Sequence, residues 1–326
     1  MLYDNNLWVF GGDGKDNKRI NDVHRLGIAD NTWHLVPCKG DLNELPESRS
    51  GHSAVLYGDE MIIFGGRNGR SHFADLYRFS FTARSWKKIK TIGALVKRRY
   101  RHTAVVHDRR MYVFGGEVAG DNSTYFSDFY ELDLLQHVWT EIKSEPRPQP
   151  RSGHTAVLFQ NSMYIYGGRD RNQQYFADIW CFDFNTHAWR QLHPNGFAPP
   201  PTYNHSSVVF RDCFYIFGGY GSDDRSGASK FVSGHRHGNL FEYSFHANRW
   251  SLVRTLGGVS PSPRLGHTMT MVDDRLMLFG GWDRNGYRND LYTITYDDLV
   301  FDMKKLMHSE NTADITFEIE DPATHS

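Results

Sequence analysis

Short runs of alternating apolar and polar residues, closed by turn formers, recur along the chain from its first residues to about residue 297. Two of them are the HSAVLY run from His52 to Tyr57 and the HTAVLF run from His154 to Phe159. Period-two alternation marks a strand with one face toward a core. The 3.6-residue repeat of an amphipathic helix is almost absent, so the pattern predicts an all-β fold.

The runs are organised by a repeat. Gly-Gly doublets preceded by apolar or aromatic residues have their first glycine at 11, 65, 115, 167, 218 and 280, a period near 50 residues with one longer interval. Thirteen residues before five of these glycines stands a histidine: His52, His102, His154, His205 and His267. After each doublet come a polar loop, a strand such as Asp75-Leu76-Tyr77 or Asp178-Ile179-Trp180, and then a lone tryptophan at 33, 86, 139, 189 or 250. Each unit therefore holds four short strands. Six such units predict a six-bladed β-propeller.

The doublet, the following aromatic strand and the spaced tryptophan resemble the kelch repeat, over roughly residues 1–297. Gly-Gly suits a sharp turn where a neighbouring blade packs closely, since a Cβ would not fit. Tryptophan and tyrosine supply large rigid faces between blades. The five histidines read as framework residues hydrogen-bonding inside each blade. Arg49, Arg99, Arg151 and Arg264, three residues before four of them, are expected to be mostly structural and to ring the channel mouth.

Composition fits this reading. Of 326 residues 14% are aromatic and 30 are glycine, while 37 Lys+Arg balance 38 Asp+Glu, so no global field draws the chain to nucleic acid or to an anionic membrane. The three cysteines, Cys38, Cys181 and Cys213, form no CxxC and no Cys/His pair at metal-ligand spacing. No window approaches the roughly 18 apolar residues of a membrane span. These features predict no cofactor, no metal, no nucleic-acid partner and no membrane insertion, in a cytoplasmic setting with endomembrane association left open.

Loop length points to the binding face. Connections between first and second strands, and between third and fourth, are tight, whereas those on the opposite face run to ten or more residues, as in Pro37 to Ser50 and Tyr220 to Gly238. Long loops on a rigid ring are where recognition sits. They carry Lys15, Lys18, Arg19, Lys230 and Arg236, and the partner-binding candidates are Arg67, Arg70, Lys97, Arg98, Arg169, Arg171, Tyr220, Trp282, Arg284 and Arg288. Arginine forks suit carboxylates, and arginine with exposed aromatics dominates interface hot spots. An acidic protein surface is the expected partner.

Residues 298–326 break the repeat. Leu299, Met303, Leu306 and Met307 fall at helical spacing, and Asp314-Ile315-Thr316-Phe317 opens an alternating strand. This short helix and strand resemble the start of a truncated BTB (POZ) domain, a linker being the alternative for 298–326. Propeller first and BTB after resembles the leucine-zipper-like transcriptional regulator family, as does the polar insertion before Asn239-Leu240-Phe241 in the fifth repeat. The resemblance implies a non-catalytic substrate receptor of a cullin-3 ubiquitin ligase, with cullin bound through the BTB region and Ras-like small GTPases captured by the propeller. A kelch scaffold without ligase activity, in vesicle trafficking or the cytoskeleton, is the alternative.

A metal-dependent kelch lyase is the remote one. Its Glu-x3-Asp-x3-His pattern is matched by Glu117 and Asp121, but Tyr125 stands where the histidine belongs. A copper-radical oxidase would need a Tyr-Cys pair, and no nucleophile-elbow or phosphate-loop motif occurs. Aligning Gly11 on Gly65 places Met1-Leu2-Tyr3 on the end of a first strand. The first blade is thus expected to lack most of its innermost strand, and the sequence to be a fragment at both ends.

Overall fold

The computed structural model describes residues 1–14, 18–39, 44–120, 123–223, 234–255, 260–295 and 299–301. All regular structure among them is β. The first sheet holds Leu2–Tyr3, Asn6–Asp13, Arg19–Gly27 and Thr32–Leu35. The second holds Ser53–Tyr57, Glu60–Phe64, Leu76–Ser80 and Ser85–Ile89 in antiparallel order. Thr103–His107, Arg110–Phe114, Phe129–Asp133 and Val138–Glu141 repeat the pattern in the third, and Thr155–Phe159, Ser162–Tyr166, Ile179–Asp183 and Ala188–Leu192 in the fourth. The fifth is built on Ser206–Phe210, Cys213–Phe217, Leu240–Ser244 and Arg249–Thr255, and the sixth on Thr268–Val272, Arg275–Phe279 and Leu291–Thr295.

The first strands of the second to sixth sheets lie side by side in chain order, Thr268–Val272 of the sixth meets Leu2–Tyr3 of the first, and Trp8 and Phe10 of the first share a core with Phe79 and Trp86 of the second, so the sheets form a ring. Where a doublet turns, the next sheet is close: a Cβ on Gly65, whose φ is 65°, would lie 2.7 Å from the carbonyl oxygen of Arg99. The same approach, at 2.5–2.8 Å, holds at Gly11, Gly115, Gly167 and Gly218, whereas at Gly280 it is the φ of 69° that favours glycine. Four backbone bonds link the sheets around the axis, from Arg101 N–H to Gly51, Gly153 to Arg101, Asn204 to Gly153 and Gly266 to Asn204. All five residues have positive φ, between 53° and 67°. Arginine is the exception among glycines and asparagine there, a strained choice for a residue with a Cβ.

Aromatic rings couple each sheet to the one before. Trp86 packs on Phe10, Trp139 on Phe64, Trp189 on Phe114 and Trp250 on Tyr166, at 4.7–5.3 Å between centroids. Such pairs add about 1 kcal/mol each beyond the area they bury. The histidines work across the same seams, contrary to the expectation of bonds inside each blade. His102 Nε2 meets Ser53 Oγ at 2.8 Å, His154 Nε2 meets Thr103 Oγ1 at 2.8 Å and His205 Nε2 meets Thr155 Oγ1 at 2.9 Å. Each partner lies on the innermost strand of the preceding sheet. The His102 ring also packs edge-on against Phe64, which orients it toward that neighbour.

The four framework arginines do not ring a channel mouth. Arg49, Arg99, Arg151 and Arg264 are fully buried, each forked onto the aspartate that opens its own third strand: Asp75, Asp128, Asp178 and Asp290, at 2.6–2.7 Å. Each also donates to the carbonyl of the first doublet glycine, at 2.8–3.0 Å. With the Nε bonded two residues back, every face of the guanidinium is used, which is what allows a cation inside the sheet. The fifth unit carries Thr202 and Asn239 in place of this pair.

Leu299–Phe301 does not begin a helix. It pairs antiparallel with the outer strand of the fifth sheet, Val253 opposite Phe301 and Thr255 opposite Leu299. The remainder of the expected C-terminal helix and strand, including Met303, Leu306, Met307 and Asp314 to Phe317, lies outside the described residues.

Candidate functional site

In the second to sixth units the residue immediately after the doublet bridges backbone to backbone with the segment leading into the first strand of the same unit: Arg67 with Ser50, Glu117 with Tyr100, Arg169 with Ser152, Tyr220 with Tyr203 and Trp282 with Leu265. That pairing fixes these side chains at one level of the ring, on the long-loop face. Four of the predicted positions are arginines or aromatics held by a neighbour. The Arg67 guanidinium stacks on Tyr100 at 4.3 Å, and Arg169 stacks on Tyr203 at 4.4 Å. Trp282, 43% exposed, carries Arg236 over its ring at 4.1 Å. Tyr203, Tyr175 and Tyr220 form a trio with centroids 5.7–6.1 Å apart.

Glu117 is the centre of this belt and is 2% exposed. It takes Arg101 at 3.2 Å and the Ser152 hydroxyl at 3.1 Å, with Arg169 at 3.9 Å. Burial opposes its ionisation, but the Tyr125 hydroxyl and the two guanidiniums outweigh burial and hold the carboxyl below its ordinary range. Burial together with the Glu117 carboxylate pushes the Tyr125 phenol up. Oε1 already accepts from Arg101 and Ser152, and two guanidiniums meet the charge that a metal ion would need. That argues against the lyase reading on the chemistry of its first ligand; Asp121 lies outside the described residues.

Around the belt, the other candidates face solvent. Arg70, Lys97, Arg98, Arg171 and Arg284 are exposed. Arg288 is tied to Asp283 and Asp290, both at 3.4 Å, so its charge is partly spent inside the sixth unit. Arg171 helps line a cleft of about 510 Å³, with Tyr125, Pro150, Asp170, Gln174 and Phe176. On the axis itself, Val55, Val105, Val157 and Val209 line a cavity of about 310 Å³ whose side chains are all apolar, its polar surface coming from the backbone. The structure thus brings Arg67, Arg169 and Tyr220 into one belt and leaves the remaining basic residues around it. Lys15 and Lys230 lie outside the described residues.

Tyr100, Arg101, Tyr175 and Tyr203 were not among the sequence candidates. Their partners sit 16 to 33 residues away or in another unit, so no local pattern joins them. Arg101 alone carried a signal: it stands where other units have Gly51, Gly153 and Gly266. No helix among the described residues is long and apolar enough to cross a membrane.

The Attractin/LZTR1 beta-propeller family matches the chain over residues 7–92 and again over 68–230. A leucine-zipper-like transcriptional regulator 1 homolog of Drosophila melanogaster is 33% identical over 82% of this chain and 27% of its own length. Human leucine-zipper-like transcriptional regulator 1 is 34% identical over 76% of this chain and 30% of its length. Human kelch domain-containing protein 3 is 29% identical over 90% of this chain and 80% of its length. The chain therefore spans less than a third of the leucine-zipper-like relatives it matches. The chain belongs to the Attractin/LZTR1 beta-propeller family.

Proposed function

We propose that the long-loop face of this propeller captures an acidic protein surface, as the substrate-recognition module of a cullin-3 ubiquitin ligase adaptor. The observation that carries the proposal is the belt of cations held on aromatic rings, Arg67 on Tyr100 and Arg169 on Tyr203, with exposed basic residues around it. Stacked arginines lose little side-chain freedom on meeting a carboxylate, so more of each charge-assisted bond appears as affinity. Similarity to the leucine-zipper-like regulators supports a Ras-like small GTPase as the captured protein. Cullin-3 contact is assigned to the BTB region whose opening is read at 298–326.

A pull-down with the purified chain tests the face and the partner separately. Ras-like GTPases are expected on the wild-type chain and lost at least tenfold when Arg70, Arg98, Arg171 and Arg284 are together changed to glutamate. These four side chains face solvent, so their reversal leaves the ring intact. No capture by the wild type would remove the GTPase, and capture that ignores the four reversals would remove this face. The second reading is a kelch scaffold without ligase activity, in vesicle trafficking or the cytoskeleton; the observation bearing on it is that this chain spans 80% of kelch domain-containing protein 3, which leaves that relative little length beyond the propeller. It is separated from the first by whether cullin-3 joins the captured complex when the full-length protein is used.

A further inference from the structure

The insertion of the fifth unit brings together three groups with metal-ligating chemistry, although the sequence reading expected no metal. Tyr220–Gly221 pairs antiparallel with His235–Arg236, Gly221 opposite His235. Asp223 lies just beyond that pair on one strand, and His235 and His237 are two residues apart on the other. Residues at i and i+2 of an extended strand share a face. Arg236, between them, turns the other way and stacks on Trp282.

Asp223, His235 and His237 each offer one ligand atom, and these atoms lie within 4.8 Å of one another. His235 Nε2 is 3.4 Å from Asp223 Oδ2. With bonds of 2.0–2.2 Å, tetrahedral zinc holds its ligand atoms about 3.4 Å apart. The pair is at that spacing already, and the two exposed side chains can close on His237 by rotation.

His237 is the independent observation. It is 7% exposed, and its Nε2 is buried with no hydrogen-bond partner. Its backbone N–H is held at 2.9 Å by the Gly219 carbonyl, and its ring packs edge-on against that of His235 with centroids 4.7 Å apart, so the imidazole is fixed beside the other two groups. An unpartnered buried nitrogen otherwise carries an uncompensated desolvation cost.

We infer that Asp223, His235 and His237 form a binding site for a borderline divalent cation, zinc first, with at least one position open to water or to a partner's ligand. Two imidazoles and a carboxylate suit this class over calcium or magnesium, which take oxygen ligands. The site ties the two ends of the fifth-unit insertion together beside the Tyr203 and Tyr220 rings.

Zinc titration of the chelator-stripped chain, in competition with a chromophoric chelator of micromolar affinity, tests this. One zinc per chain is expected at micromolar affinity or tighter, and cobalt in its place should give the visible bands of a low-coordinate site. His235→Ala removes an exposed side chain, leaves the fold, and should weaken binding at least tenfold; Asp223→Asn should weaken it as well. His246→Ala, at the exposed His246–Asp212 pair, should leave stoichiometry and affinity unchanged. Absence of zinc uptake by the wild type at tens of micromolar, or a His235→Ala chain that binds as the wild type does, would overturn the site.

Discussion

Trp33 of the first sheet packs against Phe279 of the sixth, with ring centroids 4.8 Å apart. It is the same contact that Trp86, Trp139, Trp189 and Trp250 make with the preceding sheet, here made between the two ends of the ring. Leu7, Leu26, Val272 and Met277 complete a shared core at this seam. The seam closes the ring although its innermost strand, Leu2–Tyr3, has two residues where the others have five.

Ring closure should therefore depend on Trp33. Trp33→Ala is expected to lower unfolding stability by about 2 kcal/mol, at the low end for a large aromatic because Trp33 is only half-buried. Trp139→Ala, at a fully formed seam, should cost about 3–5 kcal/mol. Urea unfolding of both variants checks the order. An unchanged Trp33→Ala midpoint would mean that this seam contributes nothing.

The buried fork between Arg151 and Asp178 predicts strong coupling. Arg151→Thr leaves Asp178 without its cation and should cost about 3–5 kcal/mol. Arg151→Thr with Asp178→Asn reproduces what the fifth unit carries at Thr202 and Asn239. The double variant should be more stable than Arg151→Thr alone. A double-mutant cycle by denaturant unfolding measures this; simple additivity would contradict it.

Acid stability should follow the histidines. Burial, with Arg49 adding to it, pushes His52 down to about 3, and burial does the same to His267 with Arg264 adding. Folded pKa values below the unfolded value near 6.5 mean that the unfolded chain binds more protons between those limits. Stability contributed by the neutral rings is thus complete above pH 6.5 and is lost as pH falls toward 3. The melting temperature should be flat from pH 7 to 8 and drop steeply below 6. His102→Gln, which cannot charge but can still bond Ser53, should make that drop shallower. An unaltered profile would remove the histidines from the acid response.

Arg101 separates folding from recognition. At a φ of 55° it is strained, and glycine would relieve the strain while losing the ion pair to Glu117. Glu117 keeps Arg169, Ser152 and Tyr125 as partners, so Arg101→Gly should cost no more than about 2 kcal/mol and leave the chain folded. Its effect on partner capture by the folded chain should be at least fivefold. A variant that is destabilised and captures normally would make Arg101 a framework residue.

Much of the frame is legible in the chain because its signals are local and repeated: the doublet, the alternating strands and the tryptophan recur at one spacing. The buried cations are harder to read. Arginine is usually a surface residue, and Arg49 meets an aspartate 26 residues on. A clue was nonetheless present, since arginine and aspartate occur together in four units and are replaced together in the fifth. The histidine bonds escaped for the opposite reason: His102 and Ser53 are 49 residues apart, and each repeats so regularly that a partner within the unit looked sufficient. The belt of Tyr100, Arg101, Glu117, Arg169 and Tyr203 is assembled across three sheets, and only the ring brings it together.

The backbone bonds from Gly266 round to Gly51 run head to tail from one sheet to the next, so these amides are spent on the scaffold itself. Amides that could have formed an anion nest at the mouth are already bonded to the next sheet. Charge and shape at this level of the ring therefore vary through the side chains that follow the doublets, Arg67, Glu117, Arg169, Tyr220 and Trp282. Partner preference in such a ring can drift by single substitutions at the level of Arg67, Glu117 and Arg169 while the scaffold beneath stays the same.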